Sequence, residues 1–115
     1  MMHHRVEGVM VSDEVLLERR ERTLIITINR PEARNAFNLA VAQGLADAMD
    51  ELDDTAELSV AVITGAGGNF CSGGDVHEII GPLTKMSMSE LLDFTRMTGD
   101  LVKAMRACPQ PVVSA

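Results

Sequence analysis

An apolar run, Val60-Ala61-Val62-Ile63-Thr64-Gly65, leads through a short glycine-bearing loop into Asn69-Phe70-Cys71-Ser72-Gly73-Gly74-Asp75-Val76. The run reads as a buried strand. A strand that ends in a loop and then reaches paired glycines at a helix start exposes backbone N–H groups that no side chain covers. Such a place is suited to hold a negative oxygen. Upstream, Thr23-Leu24-Ile25-Ile26-Thr27-Ile28 reads as a strand, with Leu24, Ile26 and Ile28 on one inward face. Pro31 ends it, and Asn38 can cap a helix from about Leu39 to Leu52, with Val41, Leu45, Met49 and Leu52 recurring at helical spacing. Strand, helix and strand in this order make a βαβ unit with parallel pairing, so the fold class is α/β.

The remaining elements follow by the same rules. Val15 to Arg19 reads as a strand joined to the next by the turn Arg20-Glu21-Arg22, and Leu58 to Thr64 as the third strand. Asp50, Glu51, Asp53 and Asp54 crowd the C-terminal end of the first helix. They read as a solvated face that the macrodipole disfavours, so tertiary packing must hold that end. Val76 to Ile80 is expected as a short helix stopped by Gly81-Pro82. Ser87-Met88-Ser89-Glu90 is a capping box for a long helix to about Ala107. Leu91, Phe94 or Thr95, Thr98, Leu101 or Val102, and Met105 are expected to form its core stripe. Pro109-Gln110-Pro111 breaks it, and Val112-Val113 opens another strand. The chain carries no internal repeat and no linker.

At 115 residues the chain is at most one domain. Residues 1–12, with His3 and His4, read as a disordered tail rather than as metal ligands, and 13–115 as the domain. No apolar run approaches the ~18 residues of a membrane span. The start lacks a secretory apolar stretch, so Cys71 and Cys108 read as reduced thiols in a cytoplasmic protein. The net charge of −7 argues against a nucleic-acid partner. Arginines are nevertheless concentrated in the first 34 residues, and no Lys or Arg recurs until Lys85. A rim of arginine can still serve an anionic ligand.

Gly65-Ala66-Gly67-Gly68 invites a dinucleotide fingerprint, but the sixth position is Phe70 and the helix cannot open until after Gly73. The Ser72-Gly73-Gly74-Asp75 segment fits an oxyanion hole, where backbone N–H donors sit ~2.7–3.1 Å from the oxygen that becomes charged. Asp75 would bond backbone N–H groups of the next turn and hold the loop, a structural role rather than acid–base catalysis. An ordinary β–α connection is the competing reading of the same spacing.

Four stretches resemble, in order, the N-terminal half of the enoyl-CoA hydratase/isomerase (crotonase) superfamily. They are Ile28-Asn29-Arg30-Pro31-Glu32-Ala33-Arg34-Asn35-Ala36-Phe37, the strand Val60 to Gly65, Phe70-Cys71-Ser72-Gly73-Gly74-Asp75-Val76, and Cys108-Pro109-Gln110-Pro111-Val112-Val113-Ser114-Ala115. The resemblance implies a crotonase-like ββα spiral fold, seen as its N-terminal half and truncated before the second. It implies an acyl-CoA thioester as substrate, with Gly74 as the first oxyanion donor. Ser72, Gly73, Gly74, Asp75, Val76 and His77 would line the thioester and pantetheine. Arg34 and Ala36 would contact the CoA moiety, the guanidinium suiting phosphate. The second donor and the acid–base residues belong to the family's later sequence. No metal or redox cofactor is implied, and a homo-trimer or hexamer is expected.

This chain departs from the family pattern at His77, where many members carry Lys. No carboxylate at evident spacing orients His77 as a base. Cys71 lacks a neighbouring base and reads as a packing residue. The competing functional reading is a non-catalytic CoA-binding or assembly fragment that lacks the acid–base residues. Against it, a chain ending in a strand leaves a sheet edge unpaired.

Overall fold

Among the residues described by the computed structural model (4–6, 9–11 and 14–115), six strands pair in chain order into one sheet. β1 (His4–Val6), β2 (Val9–Val11), β3 (Val15–Arg20) and β4 (Thr23–Ile28) are antiparallel neighbours. β5 (Val60–Gly65) and β6 (Val112–Ser114) add on in parallel. The expected tail thus holds two strands, paired antiparallel as a hairpin. The other residues of that segment lie outside those described. Register places Leu17 beside Ile26 and Ile26 beside Ile63, a row of apolar side chains across three strands, all buried.

The crossover between β4 and β5 is α1 (Leu39–Asp54), and its capping residue is Asn38, whose Oδ1 accepts from the Val41 N–H at 2.9 Å. Val41, Leu45, Met49 and Leu52 are buried in the phase that their spacing predicts, and Ala48 joins them. Burying each of the larger side chains contributes about 1.5–3 kcal/mol. Gly44 lets the helix approach the sheet, since a Cβ there would stand 2.4 Å from Val15 Cγ2. The acidic end of α1 is not all solvated: Glu51 pairs with Arg19, whose guanidinium also donates to Thr55 Oγ1 at 3.3 Å. These contacts supply the tertiary support that the macrodipole argument requires. Gln110 adds to it by donating from Nε2 to the carbonyls of Leu52 and Leu58.

After β5 the chain passes through the glycine loop into a π-helical turn, Val76–Ile80. Gly81-Pro82 does not stop it. The chain continues directly into α2 (Gly81–Leu83), because Pro82 falls at the start of that turn, where no N–H is needed. α3 (Met88–Ala107) begins with the capping box, Ser87 Oγ accepting from the Glu90 N–H and Glu90 Oε1 from the Ser87 N–H. Its expected stripe has the right phase but is not core. Leu91, Phe94, Thr98, Leu101 and Met105 are only half-buried, because among the described residues α3 meets α1 along one side. No helix of the described residues is long and apolar enough to cross a membrane.

Candidate functional site

β4 and β5 end in register, Ile28 beside Gly65, so the loops that leave them emerge together at the C-terminal ends of these two interior strands. Asn35 joins these loops. It is fully buried, with φ +58°, and its Oδ1 accepts from the Arg30 N–H at 2.8 Å. Its Nδ2 donates to the carbonyls of Ala66 and Asn69. Arg34, also left-handed at φ +54°, turns the chain so that its own carbonyl accepts from the Ser72 N–H at 3.2 Å.

Further along the same two segments, Phe37 and Gly74 form a parallel β-bridge. The Phe37 N–H donates to the Gly73 carbonyl at 2.7 Å, and the Phe37 carbonyl accepts from the Asp75 N–H at 2.8 Å. Gly73 reaches this geometry at φ +108°, a region that L side chains rarely adopt. The Gly73 carbonyl and the Gly74 N–H belong to one trans peptide. With the carbonyl turned toward Phe37, the Gly74 N–H points away from it. Among the described residues that N–H has no acceptor, and Gly74 is exposed.

Asp75 closes the loop as the cap of the π-helical turn, its Oδ1 accepting from the N–H groups of His77 at 2.9 Å and Glu78 at 2.8 Å. The Glu78 N–H, then the Arg30 guanidinium and the His77 N–H, hold the Asp75 carboxyl below the usual carboxylate range against the opposing effect of burial. Asp75 is therefore an ionised anchor. Its ion partner is Arg30, a buried arginine that donates from Nη1 to Asp75 Oδ2 at 3.2 Å and to the Ala36 carbonyl at 2.6 Å. Its Nη2 reaches Glu78 Oε2 at 3.0 Å.

The structure thus brings Arg34, Ala36 and the run Ser72 to His77 together at the C-terminal ends of β4 and β5. Ala36 is buried, with its carbonyl taken by Arg30 and its N–H by the Ala33 carbonyl, so only its methyl group is left for contact. The Arg34 side chain is exposed and unpaired among the described residues, as is that of His77. Val76, His77, Gly81, Pro82, Lys85 and Met86 line part of an adjoining open cleft of about 600 Å³. The sequence assigns no role to Arg30, Asn35 or Phe37 within their motif, nor to Glu78. The available signal was the parallel pairing itself, which predicts that polar residues just after β4 must meet those after β5.

A sequence model of the enoyl-CoA hydratase/isomerase family matches residues 18–115. The chain belongs to that family. Among its relatives in the enoyl-CoA hydratase/isomerase family is the enoyl-CoA hydratase EchA19 of Mycobacterium tuberculosis, 43% identical over 55% of this chain and 24% of that protein. The 2,3-dehydroadipyl-CoA hydratase of Escherichia coli is 31% identical over 89% of this chain and 38% of its own length. A solved Streptomyces coelicolor A3(2) structure, described as an enoyl-CoA hydratase, superposes with a TM-score of 0.80 at 40% identity. That match covers 88% of this chain and 37% of the other. The fold is accordingly that of the crotonases, and the chain spans about a quarter to two-fifths of the length of these family members.

Proposed function

We propose that this chain presents the Gly74 amide to the thioester carbonyl oxygen of an acyl-CoA, stabilising the charge that oxygen gains as the acyl group passes through an enolate. The observation that carries the reading is the Gly74 N–H, directed outward by the bridge to Phe37 and without an acceptor among the described residues. A donor held in place before the charge develops costs no reorganisation during reaction, and one such donor is worth about 3–4 kcal/mol in the transition state.

Family membership supports an acyl-CoA as the ligand. In this reading Ser72 to His77 line the thioester arm, and Arg34, exposed beside Ser72, faces the CoA phosphates. Ala36 contributes its methyl group to the same wall. Asp75 is excluded as a proton donor at neutral pH, since its bonds keep it ionised. The second donor and the acid–base groups that choose between hydration, double-bond shift and hydrolysis come from outside the described residues. The reaction needs no metal or redox cofactor. Assembly as a trimer or hexamer and a cytoplasmic location belong to the same reading and rest on family resemblance alone.

Substitution of Gly74 by Pro tests the assignment, because it removes the N–H. In the intact protein, turnover of crotonyl-CoA should fall about 100- to 1,000-fold. Undiminished turnover with the fold retained, as judged by circular dichroism, would remove Gly74 from the site.

A further inference from the structure

Arg30 ties together the two short segments that aim the Gly74 amide, and its own side chain is buried. One segment is Ala36-Phe37, whose Ala36 carbonyl accepts from Arg30 Nη1 at 2.6 Å. The other is Gly74-Asp75, whose Asp75 Oδ2 accepts from the same nitrogen at 3.2 Å. The β-bridge between Phe37 and Gly74 lies between these two contacts. Glu78 Oε2 receives the second guanidinium nitrogen at 3.0 Å, and the Asn38 amide stands 3.4–3.5 Å from the same carboxylate. The Arg30 side chain is only 10% exposed and its Asp75 partner 12%. A planar fork of fixed geometry is therefore bonded on both sides of the bridge in a partly dehydrated setting, where each charge-assisted bond is directional.

We propose that Arg30 is a positioning residue for the oxyanion donor: its guanidinium locks the Phe37–Gly74 bridge and so sets the direction of the Gly74 N–H. The inference rests on Gly74 being that donor. Lysine cannot replace it, because a single ammonium cannot reach the Ala36 carbonyl, Asp75 and Glu78 from the same geometry. Loosening the bridge lets the amide swing, which weakens above all the interaction made with the charged oxygen, while exposed Arg34 keeps its hold on the CoA phosphates.

The test uses the intact protein with crotonyl-CoA carrying carbon-13 at the thioester carbonyl, and the variants Arg30→Lys, Arg30→Met and Asp75→Asn. Asp75→Asn keeps an oxygen to cap the His77 and Glu78 amides but sets an NH2 against Arg30, so it breaks the tie from the other side and serves if the Arg30 variants do not fold. Each should lower kcat about 10- to 100-fold, with KM within about threefold of the parent. Each should also return the infrared carbonyl stretch of the bound thioester toward its frequency in water. The double variant Arg30→Met with Asp75→Asn should be no worse than the poorer single variant, as for two groups acting through one contact.

If the parent shifts the carbonyl stretch to lower frequency and the variants keep both that shift and the parent kcat, Arg30 has no positioning role while Gly74 stands as the donor. A variant that loses kcat while keeping the full shift also overturns the inference. If the parent itself produces no shift, the assignment of Gly74 fails, and the role of Arg30 falls with it.

Discussion

Gly44 of α1 lies directly over Val15 of β3, so close that a Cβ on the glycine would stand 2.4 Å from one Val15 methyl carbon and 2.6 Å from Val15 Cβ. Both positions are buried, and Val15 is 2% exposed. Alanine is the better helix former by about 1 kcal/mol. Overpacking a buried contact typically costs 1–3 kcal/mol, and here the obstruction is a stiff β-branched residue rather than a flexible tip. Gly44→Ala should therefore lower the urea midpoint, by a net loss of up to about 2 kcal/mol. A raised midpoint would mean that helix and sheet separate at no cost.

Asn35 gives a second test, in which lost hydrogen bonds and backbone strain can be told apart. Removing its side chain orphans the Arg30 N–H and the carbonyls of Ala66 and Asn69. At about 1–3 kcal/mol for the buried Arg30 N–H, with the carbonyls of half-buried Ala66 and exposed Asn69 open to water, Asn35→Ala should cost at least about 1 kcal/mol. Asn35→Gly loses the same bonds but relieves the left-handed φ of +58°. Denaturation should place the glycine variant about 1 kcal/mol above the alanine variant. Equal stabilities would show that the strain is negligible.

Acid should weaken the fold through two depressed carboxyls. The Asp75 carboxyl lies below its ordinary 3.8, chiefly through the Glu78 N–H, and that of Glu90 below its ordinary 4.5, chiefly through the Ser87 N–H. Both bind protons more weakly folded than unfolded, so their contribution is complete above the ordinary values and is lost as pH falls through the folded ones. The melting temperature should hold from neutral pH to about pH 5 and drop below about pH 4. In Asp75→Asn the drop should be shallower, because one of the two linked protons is gone. An unchanged acid limb would assign the transition to other carboxyls.

What the sequence disclosed was local. The phase of α1, the Asn38 cap and the Ser87–Glu90 box depend on neighbours three or four residues away, and all three occur where the spacing puts them. What stayed hidden depends on distant partners. Arg30 meets Asp75 across 45 positions and Glu78 across 48, and nothing in Asn-Arg-Pro announces a buried arginine. Glu51 stands in sequence among acidic neighbours, and only the folded chain brings Arg19 to it. The α3 stripe was legible in phase but not in depth, since periodicity tells which side faces inward and not how much covers it.

The bridge between Phe37 and Gly74 has a consequence for protein engineering. A designer who moved Phe70 to Val76 into another β–α connection would carry over the glycines and the aspartate and lose the aim, because the peptide is turned by a residue from the far side of α1. The smallest transplantable unit is a pair of segments, 30–37 and 70–78, on two parallel strands whose ends are level.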